Sequence, residues 1–434
     1  MKKILFLFVL PTLLLASCMP QDVKIPQSPL LSTLERKSGL IAYIGVDGNI
    51  YVADQGGGKL KSITNDAQVS TSQSAPLRFY QIPTWSADGK QLAFVGLNRQ
   101  GTQTNSELFI TNIEDKSPTK IYSGTNETLF YLYWTPDNEN VGSLSSTSSG
   151  QSLILQSVPA KGGERVVLDT GAPYYWSWAP KGQEMIVHAG GASTTSVERI
   201  AFLKVDSEVT EDDLDLLPAS FQAPAWSPDG SRILLATRDA SGKNSITLTD
   251  SAGVPQKTVG TFNGETAFAW SRDSEKIAYI SSDQLISQGL LGALHVVNLS
   301  SEDEIVQDRQ VFAFFWSPDS KKIAYFVPFL DNATPEATPG SANQNLLLQL
   351  NILNVDTGEN HELFNFVPTQ EFLGILSYFD QYQQSNTIWS PDNNNLVLSF
   401  LDGQGQPGIA VVAASGQLEP RLLAQGILAF WSWK

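Results

Sequence analysis

Apolar and polar positions along this chain recur as one block, repeated many times over. A short apolar run ends in a tryptophan, as in Ala267-Phe268-Ala269-Trp270, and a small polar turn follows at once. A β-rich run comes next, such as Lys276-Ile277-Ala278-Tyr279-Ile280 or Lys322-Ile323-Ala324-Tyr325-Phe326. A third run resembles Leu294-His295-Val296-Val297, and a fourth, more polar one closes the block. The turn is fullest as Trp226-Ser227-Pro228-Asp229-Gly230, and variants of it follow Trp85, Trp134, Trp178, Trp270, Trp316 and Trp389, with a last partial copy at Trp431. Its residue types are physically demanded. Pro presets φ at the second turn position, Asp suits the third, and Gly accepts positive φ at the fourth. No long stretch shows a 3.6-residue apolar period, so almost no helix is expected.

Successive tryptophans stand 42 to 49 residues apart, with one longer step of 73 from Trp316 to Trp389. That is the period of a four-stranded propeller blade, and polar fourth strands suit its exposed edges. The two ends of the repeat region complement each other. Residues 39–63 offer a second, third and fourth strand with no tryptophan strand before them, and Ile427–Trp431 is a first strand with nothing after it. The expected fold is an all-β, eight-bladed β-propeller of four-stranded antiparallel blades, closed by pairing of N- and C-terminal strands. Closure removes the two free edges of an open array. Seven blades is the alternative, if the degenerate Trp134 or Trp178 repeat merges with a neighbour.

The first residues read differently. Lys2 and Lys3 precede the apolar run Ile4–Leu15, which is too short for a bilayer core of roughly 30 Å and reads as a signal-peptide core. The run ends in Leu15-Ala16-Ser17-Cys18, and Cys18 is the one cysteine in the chain. This resembles a bacterial lipoprotein signal, which implies cleavage before Cys18 and acylation of its new N-terminus. Two or more acyl chains suffice for stable anchoring. Three segments are therefore expected: a signal peptide over 1–17, a lipid-anchored tether over 18–38 that contains Pro20, Pro26 and Pro29, and a propeller over 39–434. Met19, not Asp, follows the cysteine, and by resemblance to lipoprotein sorting rules this points to the outer membrane in a host that has one.

Composition narrows the function classes. Lys and Arg number 28 against 44 Asp and Glu, a net charge of −16, so a nucleic-acid partner is not expected. A single Cys excludes a disulfide framework or zinc ribbon, and three His leave little for a histidine metal centre. No cofactor and no metal are expected.

The Trp-Ser-Pro-Asp-Gly blocks resemble the WD40-like PD40 repeat of bacterial TolB-type propellers, also seen in prolyl oligopeptidase propeller domains. The resemblance spans about residues 39–434 and implies the fold and an envelope setting. Membership of the Tol–Pal machinery does not follow, because no separate α/β domain precedes these repeats and TolB has fewer blades.

Catalytic constellations are sparse. No G-x-S-x-G nucleophile elbow occurs. His188, His295 and His361 fall in different repeats. The repeated turn aspartates (Asp88, Asp137, Asp229, Asp273, Asp319, Asp392) are read as local acceptors that hold the turn, and the acidic run Glu211–Asp215 lacks EF-hand spacing. The tryptophans Trp85, Trp134, Trp178, Trp226, Trp270, Trp316, Trp389 and Trp431 are read as packing residues between blades.

Four or five residues before each tryptophan, where the inner strand should enter the channel mouth, stand Tyr80, Gln81, Phe130, Tyr174, Phe221, Gln222, Glu265, Phe312 and Gln384. Aromatic faces mixed with amides suit sugar or peptide recognition, while ordinary inter-blade packing explains them equally simply. The long step adds a Pro/Asn/Thr-rich loop at Val327–Asn345 and a second excess at Phe366–Thr387 that carries Tyr378, Asp380 and Tyr382. Both should emerge on the mouth face, and loops on rigid scaffolds are where recognition usually sits. The expected function is a lipid-anchored scaffold or binding protein of the cell envelope, facing the periplasm or exterior, with a protein or glycan partner. The alternative is an envelope hydrolase working through channel carboxylates.

Overall fold

The computed structural model describes residues 35–69, 77–101, 103–115, 117–147, 152–190, 198–205, 208–219, 222–282, 290–329 and 346–434. Cys18, the signal segment 1–17, most of the tether 18–38, Phe221 and most of the Val327–Asn345 loop lie outside the described residues.

Each repeat folds as its pattern predicts. In the Trp270 blade, Thr266–Trp270, Lys276–Ser281, Gly292–Asn298 and Glu304–Val311 form a four-stranded antiparallel sheet in chain order. The Trp85, Trp134 and Trp178 repeats do the same, so the two degenerate repeats each lead a sheet of their own and merge with nothing. In the Trp226 blade the inner strand shrinks to Ala225–Trp226, and Leu217–Pro218 pairs beyond it on Arg232–Arg238. The Trp316 strands run into a ten-stranded sheet through Val367 and Pro368, which pair with Leu401 and Phe400.

Closure follows the expected route. Arg421–Trp431 serves two blades: its first half pairs with Pro407–Ala413, and its second half pairs with Ile41–Gly45 in the register Ile41↔Trp431 to Ile44↔Leu428. Ser432 adds to the seam by accepting the Leu40 N–H on Oγ (2.9 Å) and donating its own N–H to Leu40 O (2.7 Å). The strands thus fall into eight tryptophan-led groups, consistent with eight blades.

The turn sequence explains how neighbouring blades lock. Ser86 Oγ donates to Asp88 Oδ1 (2.7 Å) and accepts from Gln91 N (2.9 Å), while Lys90 N donates to Asp88 Oδ1 (3.1 Å). The same Ser/Thr–Asp pair recurs at 135/137, 227/229, 271/273, 317/319 and 390/392. The turn aspartates are therefore local acceptors. Burial alone would raise the Asp88 carboxyl, but the Ser86 and Lys90 bonds outweigh it and hold it below the usual carboxylate range.

The position after the Asp needs positive φ, and Gly fills it at Gly89, Gly182 and Gly230. Asn138, Ser274, Ser320 and Asn393 adopt it too, with φ between 61 and 63°. Each of these side chains accepts the backbone N–H of the previous blade's Asp: Asp88 to Asn138 (3.4 Å), Asp229 to Ser274 (3.1 Å), Asp273 to Ser320 (3.0 Å) and Asp319 to Asn393 (2.9 Å). A strained backbone is offset here by a bond between blades.

The tryptophans make the second lock. Trp134 Nε1 donates to Thr84 O, Trp270 to Ala225 O and Trp389 to Phe315 O, each at 3.0 Å. Trp85 reaches Phe430 O and Trp316 reaches Ala269 O at 3.4 Å. In every case the acceptor is the carbonyl just before the preceding blade's tryptophan. Trp431 finds Ser38 O instead (2.7 Å), and the buried Nε1 atoms of Trp178 and Trp226 have no partner among the described residues. All eight rings are buried.

One expectation needs correction. The excess at Phe366–Thr387 contains two short helices, α1 (Gln370–Leu376) and α2 (Phe379–Ser385). Thr369 caps α1 by accepting Phe372 N (3.2 Å), and Phe372, Ile375 and Leu376 are buried, with the Phe372 ring 5.9 Å from Phe326. Seven residues cannot sustain a helix alone, so tertiary packing holds these turns.

Candidate functional site: the axial channel and its helical plug

The channel is where all blades meet, and α2 lies across it. Gln381 behaves as an added strand edge: its Oε1 accepts Trp176 N (3.0 Å) and its Nε2 donates to Trp176 O (2.9 Å). The same Nε2 donates to Tyr131 Oη (2.9 Å), whose hydroxyl donates back to Gln381 O (3.0 Å). Asp380 Oδ2 accepts Ala223 N and Oδ1 accepts Gln381 N, both at 2.9 Å. Gln384 Nε2 donates to Pro224 O (3.1 Å), and Tyr382 Oη donates to Phe130 O (3.3 Å). The Phe379 ring sits 4.8 Å from Phe314. One helix therefore bonds or packs against the inner segments of the Trp134, Trp178, Trp226 and Trp316 blades. Burial pushes the Asp380 carboxyl up to about 6, against the pull of its two backbone donors.

This changes what the insertion offers to a partner. Asp380 and Gln381 are buried, Tyr382 and Gln384 are partly buried, and all four are spent on holding the plug. Tyr378, at the start of α2, is 53% exposed and is the one residue of the expected set that the insertion presents to solvent.

The mouth residues are mostly engaged in packing. Tyr80 is buried; its hydroxyl donates to Asp66 (2.5 Å) and accepts from Arg78 Nε (3.0 Å), and burial first of all pushes its pKa up to about 12. Gln81 Nε2 donates to Leu129 O of the next blade (3.1 Å). Tyr174 donates to Asp169 (2.6 Å), and Phe312 is buried. Gln222 is buried, with its carbonyl 3.1 Å from His188 Nδ1. Phe130 and Glu265 are partly exposed.

The histidines stay apart. Buried His188 also faces Glu198 (3.0 Å), His295 stacks on Tyr279 (4.6 Å) and pairs with Glu304 (2.8 Å), and His361 lies by Glu359 (3.2 Å). Among the described residues no three His, Cys, Asp or Glu side chains form a group able to hold a metal. Glu211 to Asp213 of the acidic run lie on an exposed outer strand, Val209–Asp213, where Glu211 pairs with Arg199.

Below the plug, at the end of the channel where the tryptophans and their turns stand, a cavity of about 450 Å³ remains. Tryptophans or turn residues of seven of the eight groups line it. The walls carry Trp85, Trp134, Trp178, Trp226, Trp270 and Trp316 with turn prolines such as Pro136 and Pro228, and Gln383 to Thr387 form its inner end. Sequence reasoning placed recognition at the opposite mouth and missed this chamber. A signal existed: at the turn position that holds Ala87, Pro136, Pro180, Pro228, Pro318 and Pro391, two repeats depart, with Arg272 and Trp433.

No protein-family model matches the sequence, and no curated protein does. Solved structures that superpose on it include dihydro-heme d1 dehydrogenase NirN in complex with DHE, at TM-score 0.53 and 14% identity over 96% of this chain and 78% of that one. A prolyl endopeptidase superposes at TM-score 0.53 and 10% identity over 80% of this chain, which spans only half of that protein. A eukaryotic initiation factor gives TM-score 0.50 and 12% identity over 91% and 98% of the two chains. TolB from Acinetobacter baumannii superposes loosely, at TM-score 0.36 and 13% identity over 80% of this chain and 83% of that one. Identities this low speak to architecture alone, and together with the sheet order they make the chain an all-β propeller.

Proposed function

We propose that this chain is a lipid-anchored, TolB-like propeller of the cell envelope that acts as a scaffold or binding protein, with a protein or glycan partner on the face where α1 and α2 enter. The observation that carries the reading is the plug. An insertion that fills the channel mouth turns a hole into a closed surface, and that surface presents Tyr378 to solvent. Asp380, Gln381, Tyr382 and Gln384 are tied into hydrogen bonds to the blades, which suits a rigid recognition platform. Anchoring rests on the Leu15-Ala16-Ser17-Cys18 pattern. No helix among the described residues is long and apolar enough to cross a membrane.

Two measurements test the two halves of the reading. Metabolic labelling with a palmitate analogue should mark the full chain and lose the mark in C18A; labelling that persists in C18A overturns the anchor. Crosslinking in intact cells followed by mass spectrometry should yield a specific neighbour that Tyr378→Ala removes. An unchanged neighbour list in that variant overturns the assigned face.

A further inference from the structure

The axial cavity has one feature that packing does not require. Arg272 occupies the turn position that other repeats give to Pro or Ala, and its side chain lines the chamber. Among the described residues no carboxylate pairs with its guanidinium, although Asp and Glu outnumber Lys and Arg by 44 to 28 in this chain. Its partner is the Trp433 ring, 4.0 Å away, the other departure at the same turn position. Arginine stays protonated in proteins, so the fold holds a full charge near the axis against a single aromatic face. Arg272 is exposed at the chamber wall, so its guanidinium is open to a ligand that enters from solvent.

The rest of the chamber defines what that ligand is. Its walls are indole rings, Phe268, Phe315 and turn prolines, an apolar and largely rigid lining. Its volume of about 450 Å³ falls within the range of small-molecule sites. Gln383 to Asn386 line the inner end, opposite the turns. The other charged groups on the lining are Asp380, already held by Ala223 N and Gln381 N, and Lys434. One guanidinium fork matches one carboxylate, and stacking on Trp433 fixes the plane of that fork.

We propose that the axial cavity is a binding site for a small molecule with a flat apolar body and a single carboxylate, the body lying against the tryptophan wall and the carboxylate bonding to Arg272. The proposal does not depend on the envelope partner or on lipid anchoring.

The test uses the full chain and naphthalene-2-carboxylate as probe, followed by isothermal titration and by quenching of the wall tryptophans. Saturable one-to-one binding is expected, with the neutral 2-naphthamide at least tenfold weaker. Arg272→Pro copies the turn of the Trp316 repeat, so the blade should fold, and it should lose tenfold or more in carboxylate affinity with the amide unchanged. Arg272→Gln provides the same comparison in a variant that keeps the side-chain length. Absence of saturable binding to the unmodified chain, or equal carboxylate affinity in whichever of the two variants melts like it, overturns the proposal.

Discussion

A tryptophan at the end of an inner strand in this ring serves as both wedge and clasp: the ring fills the seam between blades, and the indole N–H crosses it. The two contributions can be separated, because five of the eight indoles make this bond, Trp431 reaches Ser38 O instead, and Trp178 and Trp226 have no partner among the described residues. Trp389 is fully buried and donates to Phe315 O at 3.0 Å, whereas Trp178 is equally well packed with an unpaired Nε1. Trp389→Phe should destabilise the protein by about 1 kcal/mol more than Trp178→Phe, since both lose similar ring volume and only one loses a hydrogen bond. Urea unfolding of the two variants checks this, and equal losses would show that the seam bond contributes nothing. The tryptophan period and the turn aspartates were readable in the sequence because each acts on residues within a few positions of itself. The unpaired state of Trp178 was not, because it depends on where a carbonyl of another blade comes to rest.

The helix α2 is the element whose place the sequence hid. Seven residues show too little apolar period to be read as a helix, and the hydrogen bonds that hold it join partners such as Gln381 and Tyr131, which are 250 positions apart. Its buried carboxyl leaves a pH signature. Asp380 is raised from 3.8 to about 6 in the folded chain, so the native state holds a proton that the unfolded state has already released between those values. Stability from this group is full below about pH 4 and falls as pH rises through 6, by roughly 3 kcal/mol. Asp380→Asn removes the titration. The stability of D380N relative to the unmodified chain should therefore climb by roughly that amount from pH 4 to pH 7. Denaturant unfolding across the range measures it, and a difference that stays flat would show that Asp380 titrates normally.

The molecule as a whole depends on a seam made from both ends of the described chain. Removing residues 427–434 takes away Leu428, Phe430 and Trp431, all buried, and leaves Ile41–Gly45 without its inner neighbour. The loss should exceed about 5 kcal/mol, with broadened melting and self-association through the freed edge in size-exclusion chromatography. A truncated chain that stays monomeric and melts sharply would mean that the ring does not need this closure. Strand order, turn geometry and the closing partnership all follow from local pattern, since alternation, Pro, Asp and Gly act on neighbouring backbone and the repeat copies the result around the ring. The contents of the channel had to await the assembled ring. Arg272 differs from its counterparts by one residue in one turn, and it becomes a charge on the chamber wall only when the blades bring their turns together. The closed mouth and the open chamber likewise arise from side chains hundreds of residues apart, between which no local preference acts.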